Sequence, residues 1–143
     1  MALVTLEPLV QTLAAALRDR GWRVAAAESC TGGLIAAACT QLAGSSDWFD
    51  RGWVSYSNAA KTELLGVDAG LIAAQGAVSE AVALAMARGA LAHAPVDLVV
   101  AVTGIAGPGG AVPGKPVGTV WLAWGTRAGV WAERLLLDGD RAA

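Results

Sequence analysis

The strand-like run Asp97–Thr103 (DLVVAVT) constrains the fold of this chain more than any other segment. Its apolar residues are continuous rather than alternating with polar ones. A strand with this pattern is buried on both faces, because helices cover both sides of its sheet. The sequence therefore predicts an α/β protein built around a sheet with two covered faces.

The rest of the chain supplies helices and strands for such a sheet. Helical patterns cover residues 5–20, 34–42, 59–65 and 80–93, with a short helix or turn at 68–74, and further strand patterns cover 22–28, 51–57, 118–124 and 130–137. Helices and strands alternate early, and the last two strands are joined at hairpin length. We predict a three-layer α/β/α sandwich with a mixed, mostly parallel five-stranded sheet. No repeat or linker interrupts the pattern, so we expect residues 1–143 to form one domain.

Composition argues against several classes of function. The net charge of −2 provides no basic field that would attract nucleic acid or an anionic membrane. Two cysteines and one histidine cannot supply the four ligands of a structural zinc site, and we expect no metal. The N-terminus lacks a basic n-region, and no apolar run approaches the ~20 residues that span a bilayer. These observations predict a soluble cytoplasmic protein.

The first candidate site segment is Ser29–Gly33 (SCTGG), between a predicted strand and a predicted helix. Free N–H groups and the helix dipole favour an anion at such a junction, and glycine lets a ligand approach the backbone. The alternative is an ordinary helix cap followed by glycines that permit tight packing. The spacing is that of neither a Walker A motif nor a dinucleotide fingerprint.

The second segment is Tyr56–Lys61 (YSNAAK), which runs from the end of a strand into a helix. Only two of the ten basic residues are lysines, Lys61 and Lys115. A desolvated lysine can lose its proton near neutral pH, whereas arginine cannot, so Lys61 is a candidate base. The Tyr–Lys spacing is one residue longer than the Tyr-x-x-x-Lys pair of short-chain dehydrogenases, which argues against that class and against bound NAD.

The third segment is Thr103–Gly110 (TGIAGPGG), continued by Lys115 and Pro116. It follows the predicted buried strand, and ligands of open α/β sheets bind at the carboxyl ends of strands. The alternative is a flexible hairpin loop, although long loops inside a domain are more often functional.

Together these segments resemble one family: the C-terminal domain of the competence/damage-inducible protein CinA and its stand-alone relatives, the nicotinamide-nucleotide amidohydrolases. The matching stretches are AESCTGG (27–33), GSS (44–46), VSYSNAAKTELLGV (54–67), GAVSEAVALAMARGA (76–90) and AVTGIAGPGG with KPVGTVW (101–121). The resemblance implies a three-layer α/β/α fold. It also implies hydrolysis of nicotinamide mononucleotide to nicotinate mononucleotide and ammonia, with no metal or other cofactor.

Amide hydrolysis without a metal needs a nucleophile, a base and an oxyanion site. Lys61, neutralised by burial, can deprotonate a serine directly or through Tyr56. Ser46 and Ser29 compete as nucleophile; Ser46 is favoured, because Ser29 at the glycine-rich helix start suits the ligand or oxyanion better. With the ribose phosphate against one of the two glycine loops, substrate contacts are expected from Thr31, Gly32, Gly33, Asn58, Thr103, Gly104, Gly107 and Gly109.

The resembled family usually continues after a Gly-Asp-Arg such as Gly139–Arg141 into a further helix, whereas this chain ends at Ala143. We therefore expect a domain that lacks the last helix. Apolar surface or a sheet edge near residues 130–137 would then be covered by a second copy, which predicts a homodimer. The shortening also motivates an alternative function, a nucleotide-binding regulatory module without turnover.

Overall fold

One mixed sheet organises the protein, of which the computed structural model describes residues 3–143. Its order is β2-β1-β3-β4-β5, with β1 at Val24–Glu28, β2 at Phe49–Val54, β3 at Leu98–Gly104, β4 at Thr119–Thr126 and β5 at Gly129–Leu136. β1 pairs in parallel with β2 and β3, and β4 runs antiparallel between β3 and β5. Four of the five strands therefore point the same way, which confirms the predicted mixed sheet.

Helices cover both faces of this sheet. The α-helices of residues 3–143 are α1 (Glu7–Arg20), α2 (Leu34–Thr40), α3 (Asn58–Leu65), α4 (Ala69–Gln75) and α5 (Glu80–His93). None of them is long and apolar enough to cross a membrane. Short 3₁₀ turns at Leu3–Leu6 and Ser45–Asp47 precede α1 and β2.

Alternate residues of β1 divide the core into two halves. Val24 packs with α1 and α2, whereas Ala25 and Ala27 pack beneath the other three helices. The larger half lies under α5, whose buried residues contact Val99 and Ala101 of β3. The small β1 side chains let α5 approach the sheet closely, and the three predicted layers are confirmed.

The second strand begins and ends earlier than the sequence predicts. The alternating pattern indicates residues 51–57, but β2 spans Phe49–Val54. Its partner β1 ends at Glu28, which is paired with Val54. Residues after Val54 therefore have no β1 residue to pair with. After a last hydrogen bond from Ser55 N to Glu28 O (2.7 Å), the chain leaves the sheet and enters α3, where the Ser57 side chain caps the helix.

Candidate active site

The three parallel strands bring the candidate segments together at their carboxyl ends. Ser29 follows β1, Tyr56 lies just beyond β2, and Gly104 ends β3. Lys61 lies one turn into α3, from where its side chain reaches back to the ends of β1 and β2. The structure thus brings together the three segments that the sequence singled out.

The amino group of Lys61 lies between the carboxyl ends of these strands. Its side chain is buried, with 1 % of the residue surface exposed. Nζ lies 3.0 Å from Ser29 Oγ, 3.0 Å from the carbonyl oxygens of Ser55 and Tyr56, and 3.5 Å from that of Ser57. A neutral amine has two N–H groups and one lone pair, so it can donate to two carbonyls and accept from the Ser29 hydroxyl.

Burial also favours the neutral form of this amine. Desolvation lowers the pKa of Lys61 below its ordinary value of 10.5, and the negative charge of a Cys30 thiolate would act in the opposite direction. Desolvation raises the pKa of Cys30 itself, which keeps the thiol protonated and uncharged near neutral pH. No carboxylate of residues 3–143 lies within ion-pair distance of Lys61. The environment therefore suits a lysine that acts as a base.

Ser29 is held rigidly against this amine. The residue is 7 % exposed, and its N–H donates to Val102 O (3.1 Å), which continues the pairing of β1 with β3. Of the next two backbone N–H groups, that of Cys30 is directed at its own thiol, and that of Thr31 has no hydrogen-bond acceptor within residues 3–143. A free backbone N–H group at such a turn is a candidate donor for an oxyanion.

A buried carboxylate, Glu28, shapes the turn that follows Ser29. Its oxygens accept the N–H groups of Ile35 and Ala36 at the start of α2 (both 2.9 Å) and the hydroxyl of Thr31 (2.6 Å). The start of α2, where we expected an anionic ligand, thus already carries a carboxylate, and the Thr31 hydroxyl donates to it. Gly32 and Gly33 complete the turn with φ of +60° and +103°. The only sequence signal for this role of Glu28 is an acidic residue at the end of a buried strand.

Ser46 lies at the other end of the parallel strands, just before β2 begins. It is exposed on the 3₁₀ turn before β2, and its carbonyl accepts from Arg23 Nη1 (3.2 Å), just before β1. The six residues of β2 separate the two ends by roughly 20 Å, given the rise per residue of an extended strand. The structure therefore does not bring Ser46 together with Tyr56 and Lys61, as the sequence analysis expected, because β2 carries the chain across the sheet between them.

Tyr56 contributes to the site in two different places. Its carbonyl oxygen accepts from Lys61, but its phenol is 56 % exposed and lies 2.8 Å from Arg141 Nη2. Arg141 also donates to Gly107 O, which ties the C-terminal segment to the loop after β3. The phenol therefore does not connect Lys61 to a serine, and its contact with Arg141 is one that the sequence analysis did not predict.

The remaining predicted contacts lie around the loop after β3. Thr103 is buried and its hydroxyl donates to Ala77 O (2.9 Å), whereas Asn58 and Gly109 are exposed. A Cβ on Gly104 would lie 3.1 Å from Cys30 Sγ, so glycine lets the loop close against the Ser29 turn. Lys115 donates to Gln75 O (2.7 Å) at the end of α4.

A cavity of about 350 Å³ opens at Cys30, the residue after Ser29. It is lined by Cys30, Ile105, Ala106, Gly118, Val120 and Leu137 and by the segment 138–141 with Ala143. Its lining is more apolar than polar, and Arg141 is the only basic side chain that lines it among the described residues. Residues 3–143 contain no cluster of three or more His, Cys, Asp or Glu side chains that could hold a metal ion.

Fold and site together define a three-layer α/β protein with a buried lysine–serine pair at the carboxyl ends of its parallel strands. The chain belongs to the CinA C-terminal domain family, whose model matches residues 6–143.

This domain is similar both to proteins of about its own length and to part of longer proteins. It is 53 % identical to the nicotinamide-nucleotide amidohydrolase PncC of Enterobacter agglomerans, over 96 % of this chain and 85 % of that protein. A CinA-like protein of Akkermansia muciniphila is 52 % identical over 89 % of this chain but only 31 % of its own length. The crystal structure of CihA, the competence/damage-inducible protein from Agrobacterium tumefaciens, superposes with a TM-score of 0.92 at 47 % identity, covering 96 % of this chain and 84 % of that one.

Proposed function

We propose that this protein hydrolyses the carboxamide of nicotinamide mononucleotide to nicotinate mononucleotide and ammonia. Relatives named nicotinamide-nucleotide amidohydrolase, at 53 % and 55 % identity, support the reaction. The observation that carries the chemistry is the 3.0 Å contact between Lys61 Nζ and Ser29 Oγ at a buried site. We propose Ser29 as the nucleophile and Lys61 as its base, in place of the Ser46 pairing.

In the first half of the proposed reaction, neutral Lys61 removes the hydroxyl proton of Ser29. The Oγ attacks the carboxamide carbon, and the oxyanion that forms is stabilised by the free N–H group of Thr31. The C–N bond then breaks as Lys61 returns the proton to the leaving nitrogen. Ammonia departs, and the acyl group remains on Ser29 as an ester.

In the second half, Lys61 is again neutral and removes a proton from water. The hydroxide attacks the ester carbon, the bond to Ser29 Oγ breaks, and Oγ takes its proton back from Lys61. One base thus serves both halves of the reaction. The carbonyls of Ser55, Tyr56 and Ser57 stabilise the ammonium form of Lys61 each time it holds the proton.

Ammonia release from nicotinamide mononucleotide, measured together with nicotinate mononucleotide by chromatography, tests the proposal. We expect both products in equal amounts and with turnover by the purified chain. Tight binding of the nucleotide without ammonia would instead support a regulatory module. The presence of the same domain as a third of a longer CinA-like protein makes that outcome worth measuring.

We further propose that the protein forms a homodimer through the outer face of β4 and β5. Trp124 and Trp131 are directly paired across these strands and are 38 % and 59 % exposed. β5 is also an edge strand, with one side unpaired in the sheet. Exposed aromatic surface beside a free edge is most simply covered by a second copy.

A further inference from the structure

We propose that Glu28 is a positioning residue for the reaction: its carboxylate holds the Thr31 hydroxyl and so fixes the direction of the Thr31 N–H group that stabilises the oxyanion. This inference rests on the proposed function and adds a side chain that acts through another residue. Glu28 is the last residue of β1, directly before Ser29, and 1 % of its surface is exposed. Its carboxylate has no ion-pair partner among residues 3–143.

Hydrogen-bond donors alone therefore compensate the buried charge of Glu28, since burying a carboxylate without them is strongly unfavourable. One carboxylate oxygen accepts the N–H group of Ala36 (2.9 Å), and the other accepts the N–H group of Ile35 (2.9 Å) and the hydroxyl of Thr31 (2.6 Å). A distance of 2.6 Å is typical of a strong hydrogen bond between a hydroxyl and a charged carboxylate. The Thr31 side chain is therefore held firmly.

Two of these three hydrogen bonds have a structural role, and the third does not. The residue before α2 is Gly33, which has a φ of +103° and no side chain to cap the helix. The bonds from Ile35 and Ala36 to Glu28 replace that cap. Thr31 precedes the helix, so its hydroxyl satisfies no helix N–H group. Its bond to Glu28 instead fixes the turn that leads from Ser29 into α2.

The backbone around Thr31 has few other restraints. Its N–H group has no acceptor within residues 3–143, and its carbonyl accepts a single bond, from Leu34 N (3.1 Å). Gly32 and Gly33 follow directly, and glycine is the residue with the most backbone freedom. The direction of the Thr31 N–H group therefore depends on its side chain. A donor that is oriented before the reaction begins stabilises an oxyanion without reorganisation.

The main chain of Glu28 also supports the base. Its carbonyl oxygen accepts the N–H group of Ser55 (2.7 Å) and the Ser55 hydroxyl (3.2 Å), and the Ser55 carbonyl accepts from Lys61 Nζ (3.0 Å). Glu28 is itself paired with β2 on one side and with β3 on the other. One rigidly held residue thus connects to the base through its main chain and to the oxyanion donor through its carboxylate.

Two substitutions of Thr31 test the carboxylate contact by kinetics. Valine keeps the branched shape but removes the hydroxyl, whereas serine keeps the hydroxyl and removes the methyl group. With nicotinamide mononucleotide, Thr31→Val should lower kcat by about 10- to 100-fold and change KM by less than about threefold, because the lost bond orients a donor that is used in the transition state. Thr31→Ser should retain most of the rate. Thr40→Val is the matched control, because the exposed Thr40 hydroxyl on the same helix donates to Ala36 O.

The order of these variants decides the outcome. A larger loss in Thr31→Ser than in Thr31→Val would mean that the methyl group matters through packing, and it would overturn the proposal. An unchanged kcat in Thr31→Val, or a loss confined to KM, would overturn it as well. The wild type in the same assay reports the proposed function separately through its release of ammonia.

NMR relaxation of the backbone ¹⁵N nuclei measures the restraint on this N–H group without turnover. The order parameter of the N–H vector at position 31 should be ~0.85 in the wild type and in Thr31→Ser, and should fall below ~0.7 in Thr31→Val. Glu28→Gln should have the same effect, because glutamine offers one acceptor oxygen to three donors. Such a loss supports the restraint even if the wild type releases no ammonia. An unchanged order parameter in Thr31→Val refutes it even if the wild type is an active amidohydrolase.

Discussion

Lys61 shows how far a single residue can be interpreted before the fold is known. The scarcity of lysine in an arginine-rich chain predicts that its amino group has a special role, and the structure places it at 1 % exposure among four oxygen acceptors. The identity of its serine partner could not be predicted in the same way. Ser29 and Ser46 are both polar residues in turns, and only the direction of β2 puts one beside Nζ and the other across the sheet.

Replacing Lys61 with arginine should abolish deamidation. Arginine keeps the positive charge but cannot act as a base near neutral pH, so kcat should fall on the order of 10²-fold or more. Lys115→Arg is the matched control and should keep its activity, because the Lys115 amine donates to Gln75 O whereas that of Lys61 contacts Ser29 Oγ. Circular dichroism and binding of nicotinate mononucleotide check that the buried substitution leaves the fold intact. An unchanged kcat in a folded variant would remove Lys61 from the mechanism.

The pH dependence of kcat/KM should report the same amine. Because burial lowers the pKa of Lys61, the rate should rise with pH through an inflection below 10.5, as the base loses its proton. The linked stability change has the same sign. Between the lowered pKa and 10.5 the unfolded chain binds more protons, so the free energy of unfolding gains a contribution that grows with pH. A profile that falls over this range would contradict a neutral lysine as the base.

At the scale of helices and strands, the continuous apolar pattern of β3 and the late hairpin were sufficient to predict the layers and the mixed sheet. The ends of elements were harder to predict, because they depend on partners. β2 ends where β1 ends, and its alternating sequence continues regardless. The role of Glu28 was missed for a related reason. Its carboxylate oxygens accept N–H groups of α2, a helix that begins six residues later in the chain.

The contact between α3 and α5 gives a test of the packing. A Cβ at Gly89 would lie 2.0 Å from the carbonyl oxygen of Leu65, so Gly89→Ala should destabilise the protein by about 2 kcal/mol. Helix propensity alone predicts the opposite sign, a gain of about 1 kcal/mol. Gly70→Ala in α4 is the control, because its nearest atom is the Asp68 carboxylate at 3.5 Å, and it should be neutral or slightly stabilising. Thermal denaturation of both variants decides between packing and propensity.

At the scale of the whole molecule, the outer face of β4 and β5 predicts self-association. Light scattering across a dilution series should give the mass of a dimer at micromolar concentration. Trp131→Glu should shift the equilibrium towards monomer while leaving the melting temperature of the monomer nearly unchanged, because this side chain is 59 % exposed. A wild-type monomer at high micromolar concentration would refute the interface.

The central claim is that Ser29 and Lys61 form the catalytic pair of an amidohydrolase. Ammonia release from saturating nicotinamide mononucleotide by Ser29→Ala, with Ser46→Ala measured beside it, tests the claim most directly. We predict that Ser29→Ala lowers kcat by on the order of 10³-fold or more, whereas Ser46→Ala stays close to wild type. Loss of kcat in Ser46→Ala with activity retained in Ser29→Ala would contradict it.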